Sequence, residues 1–152
     1  MIVYPIGSSR FPANDGAGAS LYPGRWNRRG VPVIYTAQSS SLCALEILAG
    51  GRELASDYVV VEIEIPNDVL VESLADDQLP EDWIADAHPD STRATGDDWV
   101  KAGRSAILSV PSTVNPYERN FVLNPAHPDF QRFRFGGPRP FSFPERLKRR
   151  GS

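Results

Sequence analysis

The chain has 152 residues and a mass of 16.7 kDa, with 16 Lys+Arg against 19 Asp+Glu, a formal net charge of −3 and 41% hydrophobic residues. These proportions fit one globular domain over residues 1–152 and exclude a disordered or membrane-embedded chain. One cysteine, Cys43, excludes an internal disulfide, a Cys-based zinc cluster and a two-cysteine redox site, and two histidines, His88 and His127, leave little for a His-rich metal site.

In chain order, Ile2 to Ile6 reads as an opening strand, placed at a sheet edge by Pro5. The opening MIVYPIGSSR has no basic leader and no long apolar stretch, and no later run approaches the ~20 apolar residues of a membrane span, so the expected location is the cytoplasm. Residues 7–30, with five Gly, two Pro and two Asn, read as a long irregular segment. The β-branched run Val31 to Thr36 predicts a strand. Ser39-Ser40-Ser41 offers capping hydroxyls to an apolar stripe of Leu42, Leu45, Ile47, Leu48 and Ala49, a helix ending at Gly50-Gly51. Tyr58 to Ile65 reads as a single strand stopped by Pro66, with Val59, Val61, Ile63 and Ile65 on an apolar face and Val60, Glu62 and Glu64 on a partly charged one.

Two short helices are expected around Pro80–Asp86 and Asp97–Lys101, then strands at Ala106–Val110 and Asn120–Leu123. Phe130, Phe133, Phe135, Phe141 and Phe143 make the C-terminal part aromatic and packed, with a short basic helix at its end. Strands and helices interleave without a βαβ repeat, so the expected class is α+β with a mixed, mostly antiparallel sheet.

The charges are segregated. Residues 1–56 carry +2, residues 57–98 carry thirteen acids and a single arginine for −12, and residues 99–152 carry +7. The acidic stretch reads either as a solvated face or as a surface for a basic partner. The basic residues are dispersed and follow no nucleic-acid-binding pattern, so no direct nucleic acid binding is expected.

Candidate chemistry is sparse. Asp15-Gly16-Ala17-Gly18-Ala19-Ser20 contains a G-x-G but no preceding strand and no third glycine, which argues against a dinucleotide fingerprint. Both histidines precede proline in turn-like contexts, and Cys43 sits inside the apolar helix as a small hydrophobe. Gly24-Arg25-Trp26-Asn27 is open to two readings: a fork of donors at a pocket floor, or an arginine stacked on a surface tryptophan. Glu46 lies in the apolar run Leu42–Ala49, where a carboxylate is costly unless paired or aimed into a polar cleft; the alternative is the helix's outer face. Polar residues crowd around the short strand at 120–123, between Val110-Pro111-Ser112 and His127-Pro128.

Together Gly24-Arg25-Trp26-Asn27, Pro32-Val33-Ile34-Tyr35-Thr36, Ser41-Leu42 with Leu45-Glu46, Val110-Pro111-Ser112, and Glu118, Asn120, Leu123-Asn124-Pro125 and His127-Pro128 resemble the RES domain family. The likeness runs from about Tyr4 to Leu147, with Pro23 standing where the family often has a second glycine. It implies a toxin of a bacterial type II toxin–antitoxin system, paired with an Xre-like helix-turn-helix antitoxin, and a fold similar to ADP-ribosyltransferases. It also implies a reaction that consumes NAD⁺ as substrate, by phosphorolysis (with inorganic phosphate as co-substrate) or hydrolysis, with no cofactor. One branch instead modifies a protein by ADP-ribosylation.

By motif match the family's arginine, tyrosine, glutamate and serine fall on Arg25, Tyr35, Glu46 and Ser112. The implied roles are catalytic for Arg25, Tyr35 and Glu46, and substrate-binding for Arg25, Tyr35, Ser112, Asn120 and Glu118. A module that only binds its antitoxin, without catalysis, is the reading from another class.

Overall fold

A computed structural model describes residues 1–7, 14–50 and 58–148. At its centre β6 (Ile107–Pro111) pairs antiparallel with β7 (Arg119–Leu123), Ile107 opposite Leu123 and Val110 opposite Asn120. Every residue of β6 is buried, which requires cover on both faces of the sheet. The remaining strands are β1 (Ile2–Pro5), β2 (Ile34–Ala37), β4 (Ile63–Glu64), β5 (Val71–Ser73) and β8 (Arg134–Phe135). They complete a seven-stranded sheet in the order β5-β6-β7-β2-β1-β4-β8. Only the β5–β6 pairing is parallel among these, as expected of a mixed, mostly antiparallel α+β sheet. A separate two-stranded sheet joins β3 (Tyr58–Val60) to β9 (Arg139–Phe141).

The two-residue period of the strands sorts their side chains into two cores. On one face Ile34, Ile107 and Leu123 pack with Val3, Ile63 and Phe133, and Phe130 and Phe135 pack partly buried against them. On the other, Leu108, Val110 and Val122 pack with Trp26, Val33 and Trp99. Each fully buried aliphatic side chain contributes roughly 1.5–3 kcal/mol.

The helices are α1 (Ala17–Leu21), α2 (Ser40–Ala49), α3 (Asp90–Ala102) and α4 (Glu145–Lys148). α2 starts as its serines predict: the Ser39 Oγ accepts from the Leu42 amide at 3.0 Å. It closes at Gly50, while Gly51 and part of the irregular segment 7–30 lie outside the described residues.

Several expectations need correction. α3 is thirteen residues long rather than a short helix at 97–101. Its buried side is Thr92, Gly96, Asp97 and Trp99, a polar and small set that carries no leucine stripe to reveal it. Residues 80–86 form successive turns rather than a helix, Trp83 N–H donating to Pro80 and Ala85 N–H to Asp82. A 3₁₀ turn stands at Asp76–Gln78 instead. The strand expected over Tyr58–Ile65 is two strands in two sheets, since its pairing partner changes from β9 to β1 and β8.

β1 is interior rather than at an edge. Ile6 N–H donates to Tyr35 on β2, so by alternation the Pro5 nitrogen faces the β4 side, where pairing extends only to Ile2 and Val3. Proline is tolerated there because no ladder bond is lost.

Candidate active site

The acidic half of the site rests on regular elements. α2 brings Glu46 to the end of β6, where the Ser112 Oγ donates to Glu46 Oε1 at 2.7 Å. Ser112 is fully buried, and its oxygen accepts from the amides of Val114 and Asn115, both at 3.1 Å. Those two amides occupy the hydroxyl's lone pairs, which commits its proton to the carboxylate and fixes the position of Glu46. Glu118 reaches the same helix differently: its Oε1 accepts from the Ser39 Oγ at 2.9 Å, so it secures the residue that caps α2. Asn120 lies on β7 opposite Ala37 and Val110, and its Nδ2 donates to the Thr36 carbonyl at a long 3.4 Å. By strand alternation it shares a sheet face with Tyr35.

The cationic half rests on irregular backbone organised by one asparagine. Asn27 is fully buried. Its Oδ1 accepts from the Gly24 amide (2.8 Å) and the Tyr35 hydroxyl (2.6 Å), while Nδ2 donates to Ala19 (2.8 Å), Val31 (3.0 Å) and Arg28 (3.2 Å) carbonyls. The Tyr35 hydroxyl also accepts from the Trp26 amide at 2.9 Å. Burial of that oxygen raises the phenol's pKa well above the usual tyrosine range, against a smaller lowering by its bond with Trp26. Tyr35 is therefore a protonated brace at neutral pH. The backbone at Gly24 lies so close to it that a Cβ there would stand 2.6 Å from the Tyr35 ring.

Trp26 is only 3% exposed and belongs to the core with Trp99, which excludes the surface Arg–Trp stack. Arg25 leaves the core instead, and its Nη1 donates to the main-chain carbonyls of Trp83 (2.8 Å) and Ala85 (2.7 Å). Burial lowers its pKa, offset by Glu46, then Asp86, then Tyr35. An arginine remains charged under such a shift. Arg25 and Glu46 thus act on each other electrostatically without forming an ion pair. Both described bonds of Arg25 use Nη1, which leaves Nε and Nη2 for an anionic ligand.

Three further features adjoin the site. Arg93 on α3 donates from Nε to the Gly24 carbonyl at 3.0 Å and from Nη2 to the Pro23 carbonyl at 3.4 Å. His88, expected only as a turn residue, has its Nδ1 3.4 Å from Arg93 Nη2. Burial, then Arg25 and Arg93, lower its pKa, so it is neutral at neutral pH. The carbonyls of Trp83 and Ala85 carry no residue-type signature and could not be found from sequence. Arg93 had one: it is the single basic residue among thirteen acids in 57–98.

Cys43 takes no part. Its Sγ donates to the Pro5 carbonyl at 3.1 Å, and burial, with Glu46 adding, pushes the thiol up to about 12. Among the described residues no group of His, Cys, Asp and Glu could hold a metal ion, and no helix is long and apolar enough to cross a membrane.

Comparison with known proteins gives a consistent picture. The family model for the RES domain matches residues 3–144. A protein named Toxin Res from Photorhabdus laumondii is 39% identical over 137 residues, covering 88% of this chain and 87% of the relative. A second, named Prs ADP-ribosylating toxin, from a Sphingobium species, is 39% identical over 127 residues, 78% of each chain. Among solved structures, the M. tuberculosis MbcT–MbcA toxin–antitoxin complex contains a chain of the same fold. Its TM-score is 0.75 at 21% identity, over 93% of this chain and 84% of that one.

Proposed function

The chain belongs to the RES domain family, and from that premise we propose that it is the toxin of a toxin–antitoxin pair that consumes NAD⁺. In this reading it splits the nicotinamide–ribose bond by phosphorolysis or hydrolysis, depleting the cell of NAD⁺. The observation that carries the reading is the Glu46 carboxylate, held at 2.7 Å by a buried serine hydroxyl and within electrostatic reach of Arg25. Departure of nicotinamide leaves an oxocarbenium-like ribosyl cation, as in glycoside cleavage. A carboxylate already oriented before the charge develops stabilises that cation without reorganising at the moment of reaction.

Arg25 supplies the complementary half, its Nε and Nη2 forming a fork for the pyrophosphate or an attacking phosphate. Tyr35 and Ser112 act by holding these two charges in place. Glu118 acts through the cap of α2, and Asn120 lines the same face of the sheet. NAD⁺ is the substrate in this scheme, with phosphate or water as acceptor, and the cytoplasm is where the protein meets it.

The test is purified protein incubated with NAD⁺, with and without inorganic phosphate, while nicotinamide and ADP-ribose or its 1″-phosphate are quantified. Nicotinamide release abolished by Glu46→Gln supports the reading, and no release in either buffer overturns it. A second reading, transfer of ADP-ribose to a protein, is favoured by the Sphingobium relative named for that activity. Labelled NAD⁺ added to a lysate separates the two, because only transfer leaves label on protein. The partner in either case is an antitoxin of the Xre helix-turn-helix type, consistent with a fold neighbour solved in complex with its antitoxin. Growth inhibition unaffected by Glu46→Gln would instead mark a module that acts by binding alone.

A further inference from the structure

Arg93 is the one arginine in the −12 segment, and it does not point toward the acids around it. No ion pair joins it to a carboxylate among the described residues. It crosses instead from the first turn of α3 to the main chain just before Arg25, donating to the Gly24 carbonyl at 3.0 Å and the Pro23 carbonyl at 3.4 Å. An arginine that gives its planar fork to two neutral carbonyls, in a segment with thirteen acids, is suited to holding two fixed acceptors.

The surroundings show what is being positioned. Residues 23–27 are held from the other side by Asn27, which accepts from the Gly24 amide, and by Tyr35, which accepts from the Trp26 amide. Gly24 is pressed against the Tyr35 ring, so the loop cannot move that way. Arg93 holds the carbonyls of the same loop, and His88 also bonds to the Pro23 main chain. The helix that carries Arg93 is fixed by contact of Gly96 with the Trp26 main chain. The strap that receives Arg25 is tied to the same helix, Ser91 Oγ donating to Asp82 at 2.5 Å.

We propose that Arg93 is a positioning residue that sets the aim of Arg25 by holding the Pro23–Gly24 carbonyls. It touches no substrate and acts through Arg25. The kinetic part of this inference rests on the NAD⁺ reading above.

The experiment compares Arg93→Gln, Arg25→Lys and the double variant in a mutant cycle, with Arg93→Lys to keep the charge and lose the fork. With NAD⁺ consumption as readout, Arg93→Gln raises KM about tenfold, the effect of losing one charge-assisted bond, with a smaller change in kcat. The double variant is no worse than Arg25→Lys alone, because the two act through one group. Arg93→Lys falls between wild type and Arg93→Gln.

Independently of substrate, hydrogen exchange at the Gly24 and Trp26 amides speeds up in Arg93→Gln, while exchange in β6 does not. Additive effects in the cycle, or unchanged exchange at Gly24 and Trp26, overturn the proposal. A wild-type protein that consumes no NAD⁺ would remove the NAD⁺ reading alone, leaving the exchange comparison to decide the role of Arg93. If Arg93→Gln fails to fold, Arg93→Lys carries both measurements.

Discussion

Glu46 and Arg25 act on each other electrostatically, yet the chain holds them by opposite means. The carboxylate stands on a capped helix and is gripped by the side chain of Ser112 at the end of a fully buried strand. The guanidinium stands on a loop and is gripped by the main-chain carbonyls of Trp83 and Ala85, themselves in a run of turns. Side-chain grips are selective and can be removed one atom at a time. Main-chain grips depend on where the backbone runs, so they fail through changes far from the contact. The acidic half should therefore be sensitive to substitution at the site itself, and the cationic half to whatever docks α3 and the loop at 23–27.

The largest expected effect belongs to the acidic half. Glu46→Gln keeps an oxygen for the Ser112 hydroxyl and removes the charge, so NAD⁺ consumption should fall about 10²–10³-fold. Thermal unfolding of the same sample should barely move; a large drop in melting temperature would show that the carboxylate is structural.

Gly96→Ala probes the cationic half from a distance. The added Cβ would stand 1.6 Å from the Trp26 carbonyl oxygen, backbone that cannot rotate away. The expected loss is about 3 kcal/mol in denaturant unfolding, from overpacking at a main-chain contact. Unchanged stability would mean that α3 is not seated on Trp26.

Tyr35→Phe is smaller and discriminates between roles. It removes the bond to Asn27 and leaves the Trp26 amide without its acceptor, a loss of about 1–2 kcal/mol. As a brace, its removal should cost activity less than tenfold, because a mislaid proton carrier would cost as much as Glu46→Gln. The same variant carries a pH signature. Burial keeps the folded phenol protonated after the unfolded chain begins to release its proton near pH 10, so above that pH the unfolded state holds fewer protons and stability falls. Tyr35→Phe should flatten this alkaline decline, measured as melting temperature between about pH 9 and 11.

The smallest effect is at Cys43. With its thiol pushed up to about 12, the native protein should resist alkylation at pH 8, and Cys43→Ala should leave NAD⁺ consumption unchanged. Rapid labelling of the folded protein would contradict the burial described.

The parts of the molecule legible in the sequence are those where residue type and spacing carry the physics. Ser39 to Gly50 announced a capped helix, and the runs at 106–110 and 120–123 announced strands. Ser112 beside Glu46 was legible only through the family likeness, because 66 residues separate the pair. Other features were hidden for identifiable reasons. α3 buries Thr92, Gly96 and Asp97 in place of a leucine stripe, so the helical period has no hydrophobic amplitude. One face of 58–65 is apolar throughout and the other is Val60, Glu62 and Glu64, and nothing in this pattern says that the pairing partner changes sheet midway.

Composition and local pattern were enough to read an α+β chain with strands at 106–110 and 120–123 and one capped helix that carries a carboxylate. Those properties follow from short-range propensity and burial, which each segment expresses alone. Tertiary structure decided that Trp26 is core and Arg25 is not, that Asn27 binds five groups from residues 19 to 35, and that the lone arginine of the acidic stretch turns toward the site. These outcomes depend on main-chain donors and carbonyls, which every residue carries alike, so only the path of the folded backbone distinguishes the ones that bind.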